Sequence, residues 1–326
     1  MSEQLGLSER AIKGEFYRRL PVAMTTAWWN PLVAFASNSD QESEIFRMLG
    51  MTPMPREWTS ERSQRGLPVF EIPIANKDWE LTLRFNRWDW DNDKTGQIAV
   101  RVGEMPIRFA AHVSKLITTR LVNGTGATDG LAYDGQYFLD TDHVSGDSGT
   151  QKNVLTSSEV ASLNVGTAAA PTQSEMALAI LDSIAYAQGI KDDTGEPINE
   201  DANEWIVMGS TNLSGAMNAA VYNATLNTGT GVEANPLMSA RGPNDGALSI
   251  RVVTNSRLAT TNVFYLLRRD GSTRPFILSM AEQPKIEVIG PGSETTIMTK
   301  KVIVAGSAKY NVGYGQWEHA FKCTLS

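Results

Sequence analysis

The 326-residue chain is 41% hydrophobic and 20% charged, the balance of a folded, water-facing protein long enough for two or three packed subdomains. Its formal charge of -7 excludes wrapping the outside of a nucleic acid, which needs a Lys/Arg surplus, but not facing DNA without gripping it. A single cysteine, Cys323, excludes an intrachain disulfide, no apolar run reaches the length of a membrane span, and the polar first residues predict synthesis in the cytosol.

Residues 1 to about 40 read as an arm. A helical stretch (Ala11 to Leu20) precedes TTAWWNPLVAFAS, where Trp28, Trp29, Leu32, Val33 and Phe35 crowd together. So short an apolar segment cannot cover itself; it docks on its own domain or on a neighbouring subunit. Gly50, Pro53 and Pro55 break any helix begun at Ser43. Leu67 to Phe85 reads as a hairpin, with LPVFEIPI and WELTLRF as arms and Asn76-Lys77-Asp78 as the turn. Pro68 and Pro73 mark an edge, and an uncovered two-sided edge hairpin is a first sign of assembly.

From Asp91, the order Asp91, Asp93, Thr95, Gly96, Ile98 follows a calcium loop, but the twelfth position is Val102 where a bidentate Glu is required. The alternative is an acidic turn before a helix N-terminus. Pro106 opens a predicted helix to about Val122, with Phe109, Val113, Leu116, Ile117 and Leu121 on one face and Asn123-Gly124 as its stop. His112 on it has no ligand partner at metal spacing.

Residues 123–173 form a long Gly/Ser/Thr/Asp-rich region, a length that points to function or to ordering by a partner. Within it, YDGQYFLDTDH (133–143) concentrates aromatics, acids and a histidine. A Thr172/Glu175 capping box starts a helix ending at Gly189, followed by a strand at 204–210 and a helix from Leu213 to about Ala224. LSIRVV, VFYLLRR, PFILSM and KIEVIG read as four short strands, and the last segment supplies two more.

No phosphate-binding glycine loop, GxSxG elbow or HExxH is present. His319 lies four residues before Cys323, with no third group to orient it. The remaining candidates for chemistry are Asp140, Asp142 and His143, which could bind one divalent ion if the chain there is extended. The competing reading is an Asp-Gly turn with an apolar anchor and acids that hold backbone N–H groups.

At these residues the sequence resembles the major head subunit family of Mu-like phages and prophages, the gpT family. YDGQYFLDTDH is similar to its best-marked segment. Leu49-Gly50, Pro53, Arg56-Glu57-Trp58 and Glu61-Arg62 resemble its block before the hairpin, and Asn76-Lys77-Asp78-Trp79-Glu80 its hairpin turn. Asp91, Asp93 and Gly96 resemble its acidic turn, and Gly313-Tyr314-Gly315-Gln316-Trp317 with Ala320 its closing segment. Trp88, Trp90 and Asn92 depart from the denser acidity of that turn, and the Trp28-Trp29 arm has no counterpart.

The resemblance implies an α+β capsid protein of the Hong Kong 97 type. Residues 1–42 would be the N-terminal arm and 43–90 the approach to the peripheral domain with the extended E-loop hairpin (about 56–90). Residues 91–173 would be the peripheral domain with its spine helix, 174–290 the axial domain, and 291–326 strands returning to the peripheral domain. The implied role is structural, not enzymatic: hexamers and pentamers forming an icosahedral phage head around double-stranded DNA, with no cofactor and no membrane. The implied partners are further copies of the chain, a scaffold, a portal, decoration proteins and weakly contacted DNA; the location is the virion, after synthesis in the bacterial cytoplasm. Subunit contacts are expected at Trp28, Trp29, Phe35, Arg56, Glu61, Arg62, Phe70, Ile72, Lys77, Asp78 and Trp79. The rival readings are a metal-dependent hydrolase using Asp140, Asp142 and His143, and a decoration or binding module built on the strand-rich C-terminal half.

Overall fold

The apolar arm settles on the chain that carries it. The computed structural model describes residues 9–37, 43–59, 66–93, 95–228, 230–240 and 248–326. Helix α1 (Glu9–Thr25) runs through Pro21 and buries Ile12, Phe16 and Leu20. Beyond it Trp29 is fully buried and its indole N–H donates to the Ala110 carbonyl at 3.1 Å; the Trp28 indole donates to Ser114 Oγ at 2.9 Å. Burying an indole requires a partner for its N–H, and one helix supplies both. Strand β1 (Val33–Ser37) then adds to a sheet edge in parallel.

Strands β2 (Ser43–Leu49) and β3 (Val69–Ala75) form an antiparallel ribbon, from Ser43 opposite Ala75 to Leu49 opposite Val69. Strand β4 (Lys77–Asn86) follows after one residue but belongs to another sheet. The hairpin expected over Leu67–Phe85 is therefore not formed. A hairpin loop needs at least two residues, and Trp79, Leu81, Leu83 and Phe85 turn their apolar edge to the main core. The extended two-stranded element is residues 43–75, not 56–90.

Helix α2 (Arg87–Asp91) leads to α3 (Gln97–Asn123), which begins nine residues before the expected start and carries Pro106 in its interior. Its start is fixed by Asp93, whose carboxylate accepts from the backbone N–H groups of Thr95, Gln97 and Ile98. Those bonds, the Ile98 N–H foremost, hold the Asp93 pKa below the carboxylate range. The calcium-like spacing is thus a helix cap. Strand β5 (Val154–Leu155) lies in the long region, and α4 (Gln173–Gln188) opens on the Thr172/Glu175 capping box.

The next elements in order are β6 (Glu204–Gly209), α5 (Ser214–Tyr222), β7 (Thr225–Asn227), β8 (Val232–Ala234), α6 (Pro236–Ala240), β9 (Ser249–Thr254) and β10 (Val263–Arg268). Strand β11 (Phe276–Ile289) is continuous where two strands were expected, with register irregularities between Met280 and Lys285 absorbing Pro284. Helix α7 (Glu294–Thr299), β12 (Lys301–Tyr314) and β13 (Ala320–Thr324) close the chain.

Two sheets organise the fold. The four-stranded sheet has the order β1-β11-β12-β4, with α1 and α3 packed on one face. The five-stranded sheet has the order β5-β13-β10-β6-β9, covered by α4 and α5. The division expected at residue 290 falls inside the β11/β12 pair, so β11 belongs with β4 and β12; β13, expected among strands returning to the peripheral domain, joins the other sheet. One continuous core links both sheets, and a small second cluster of Ile72, Ile74 and Ile277 lies under the ribbon. Among the described residues no helix is long and apolar enough to cross a membrane.

Candidate assembly surface

The two faces of the β2–β3 ribbon differ. Ile72 and Ile74 point inward to Ile277, with Phe46 and Met48 beside them. Ile45 opposite Pro73 and Leu49 opposite Val69 point outward, flanking an Arg47–Glu71 ion pair at 3.2 Å. Ile45, Leu49 and Val69 are each more than half exposed, and Met54 and Trp58 carry the apolar surface further; Trp58 is 70% exposed. Exposed apolar side chains grouped on one ribbon face are the signature of a contact surface, not of a solvated strand.

At the loop end of the ribbon, beyond the Leu49/Val69 pair, polar groups close the ribbon and tie it to the core. Gly50 N–H donates to the Pro68 carbonyl at 2.8 Å, and Met51 N–H to Asp193 Oδ1 at 3.0 Å. Phe70 packs on the Tyr133 ring at 4.7 Å, and the Tyr133 hydroxyl donates to Glu318. Glu318 is buried, and burial first, then the nearby Asp134 and Asp193, push its pKa up to about 8. Its second oxygen, Oε2, has no hydrogen-bond partner among the described residues.

The segment 133–143 sits against the closing segment around this point. His143 stacks flat on Trp317, with centroids 3.9 Å apart and planes 5° from parallel. Its Nδ1 lies 2.6 Å from Asp134 Oδ2 and its Nε2 3.3 Å from Asn153 Oδ1. The Asn153 amide donates to the carbonyls of Phe138, Trp317 and Ala320, and its oxygen accepts the Asp140 N–H. Just downstream, Gly146 has φ +53°, and a Cβ there would collide with the Asp193 carbonyl.

The candidate metal trio is not brought together. Both His143 nitrogens face Asp134 and Asn153, Asp140 accepts the N–H groups of Tyr137 and Thr141, and Asp142 is exposed. The chain here bends instead of running extended, so alternation cannot align Asp140 with Asp142. Phe138 and Leu139 anchor the segment in the core, whereas Tyr137 is exposed.

The expected contact residues separate into two groups. Trp29 is buried, Trp28 half-buried, and both are committed to α3; Ile72 is buried under the ribbon; Trp79 donates its indole N–H to the Tyr310 carbonyl at 2.8 Å. These four are occupied within the chain. Phe35, Arg56, Lys77 and Asp78 are exposed, and Phe70 is half-buried against Tyr133. Glu61 and Arg62 lie outside the described residues. Ile45, Leu49, Met54 and Val69 are absent from the expected set because the run Ile45-Phe46-Arg47-Met48-Leu49 is apolar on both faces and shows no clean alternation.

The Mu-like prophage major head subunit gpT family model matches residues 9–171 and 238–325. The major capsid protein of Escherichia phage Mu is 32% identical over 111 residues, 34% of this chain and 35% of that protein, so the match spans about a third of the relative's length. The procapsid of bacteriophage JBD30 superposes with a TM-score of 0.53 at 19% identity, over 98% of this chain and 77% of that one. The mature capsid of bacteriophage PhiM1 gives 0.52 at 11% identity, over 92% and 87%. The fold is thus the Hong Kong 97-type capsid fold, and the chain belongs to the Mu-like prophage major head subunit gpT family.

Proposed function

We propose that this chain is a major capsid protein that assembles as hexamers and pentamers into an icosahedral phage head around double-stranded DNA. The observation that carries the reading is the ribbon's outward face. Ile45, Leu49 and Val69 are more than half exposed on a two-stranded element whose other face is packed, and Met54 extends the exposed apolar surface into the segment after β2. A second copy of the chain covers that surface in a closed lattice and gains the apolar burial the single chain forgoes. On this reading the ribbon at 43–75 is the E-loop, α1 and β1 are the arm, α3 is the spine helix, and the five-stranded sheet forms the axial domain. The role is structural, not catalytic: the histidine and acids of 133–143 hold backbone and neighbouring side chains. A scaffold, a portal and decoration proteins complete the partner set, and the location is the virion.

Electron microscopy of purified protein is the test. Shells, tubes or capsomers are expected; a strict monomer at high concentration refutes the assembly. Leu49→Asp with Val69→Asp should leave the unfolding midpoint of the single chain unchanged while abolishing shells. Normal shells from that variant would move the contact surface elsewhere.

A further inference from the structure

The layer of two helices on the four-stranded sheet is electrically lopsided. On α1 and α3, Glu15 pairs with Arg18 and Arg19, and Glu104 with Arg101. Arg120 pairs with Asp129, which leaves four cations, Arg10, Lys13, Arg108 and Lys115, against the one acid Glu9 with no ion pair among the described residues. Arg257, from the loop after β9, adds to them: it and Lys115 lie close enough to His112 to lower that imidazole's pKa, after burial, the larger cause. Arg108 borders the same small cavity as His112. Arg108 and Lys115 are seven residues apart on one face of α3, and Asn255, two residues before Arg257, donates to Thr118 Oγ1 on the same helix, so the three exposed cations lie along one stretch of α3.

The opposite face of the same sheet is balanced. Alternation along β4, β11 and β12 turns Asp78, Glu80, Glu282 and Glu287 away from the helices. Arg84, Lys285, Lys301 and Lys309 share that side, and Lys309–Asp78 and Lys285–Glu282 are ion pairs. Of these two faces, the α1/α3 side is the one with a cationic surplus, in a chain whose net charge is -7.

We propose that the α1/α3 face is the surface that meets double-stranded DNA, through Arg108, Lys115 and Arg257 as sequence-independent phosphate contacts. This rests on the assembly reading above, because a shell subunit must turn one of its two faces inward. Phosphate contact asks for point charges free of internal partners and needs no pocket, which is what these three residues offer. The sparse charge and the acidic remainder of the chain keep the contact weak, so DNA can slide and pack.

The test uses unassembled full-length protein and a labelled random-sequence duplex, with fluorescence anisotropy across a salt series. The variant Arg108→Gln/Lys115→Gln/Arg257→Gln should bind more weakly, with a log–log salt slope shallower by about 3, at about 0.9 for each phosphate that is no longer neutralised. The control Arg84→Gln/Lys301→Gln, on the other face, should match the parent. An unchanged slope in the triple variant, or a loss confined to the control, overturns the proposal. Binding of polyglutamate without binding of DNA would also overturn it, making the partner an acidic protein. Micrographs of the triple variant keep the two readings apart: normal shells with parental DNA binding sink only this inference, whereas absence of shells from the parent sinks the assembly reading.

Discussion

Glu318 makes stability depend on pH in a window where few other side chains titrate. Its folded pKa of about 8 stands against 4.5 for the unfolded chain. An acid whose pKa is raised by folding contributes most stability below 4.5 and loses it as pH rises to 8, here roughly 5 kcal/mol in all at about 1.36 kcal/mol per unit. His319 works in the opposite direction. Its imidazole is buried, with Nε2 2.8 Å from Thr273 Oγ1 and Nδ1 3.0 Å from Asn199 Oδ1. Burial, then Arg268, lower its pKa from 6.5 to about 3. Stability from His319 is therefore complete above 6.5 and lost as pH falls toward 3. Between 4.5 and 6.5 the two slopes oppose each other; between 6.5 and 8 Glu318 acts alone, costing about 2 kcal/mol. Urea unfolding of the unassembled chain from pH 6 to 8.5 should show that decline. In Glu318→Gln it should vanish, and a rise from 4.5 to 6.5, due to His319, should be uncovered. A parent equally stable at pH 6.5 and 8.5, or a variant that keeps the decline, would refute the buried-acid argument.

Asn153→Ala should destabilise the chain by about 3 kcal/mol, since three carbonyls and the Asp140 N–H lose their partner inside the core; denaturant midpoints measure it. In Asp93→Ala, the amides of Gln97 and Ile98 should exchange hydrogen faster while those in the middle of α3 do not, because only the first turn loses its acceptor. Ile74→Ala should speed exchange of the β2 and β3 amides and leave β10 protected; equal acceleration in both would mean that the ribbon is not a separate unit.

Legibility followed the range of the interactions. The α4 cap was readable because Thr172 and Glu175 are three residues apart and satisfy each other's neighbourhood. The early start of α3 was hidden because Pro106 looks like a first-turn residue, whereas Asp93 caps the helix from four and five residues upstream of Gln97 and Ile98. The partners of β3 and β4 were hidden altogether. Both strands flank Asn76, as a hairpin's arms would, yet β3 pairs back to Ser43–Leu49 and β4 pairs forward to Lys301–Tyr310, a choice made by the core and not by the turn. The blocks that carry the family resemblance were legible one at a time; that 133–143 and 313–320 meet through Asn153, Tyr133 and Glu318 was not, since those bonds span up to 185 residues.

On the assembly proposed above, one sequence must serve several lattice positions, and the way the ribbon is held bears on that. Its private core has only three fully buried residues, Ile72, Ile74 and Ile277, against a main core that runs through both sheets. At about 1.5–3 kcal/mol for each buried aliphatic side chain, lifting the ribbon off costs several kcal/mol, a sum that an equivalent apolar contact on a neighbour can replace. Its loop end, by contrast, is tied to the core by a directional bond from the Met51 N–H to Asp193 beside the Phe70–Tyr133 ring contact, and its other end by the Asn311 amide, which donates to the Ala75 carbonyl. On the assembly reading, any exchange with a neighbour is therefore confined to the thin apolar underside and the outward face between two polar attachments.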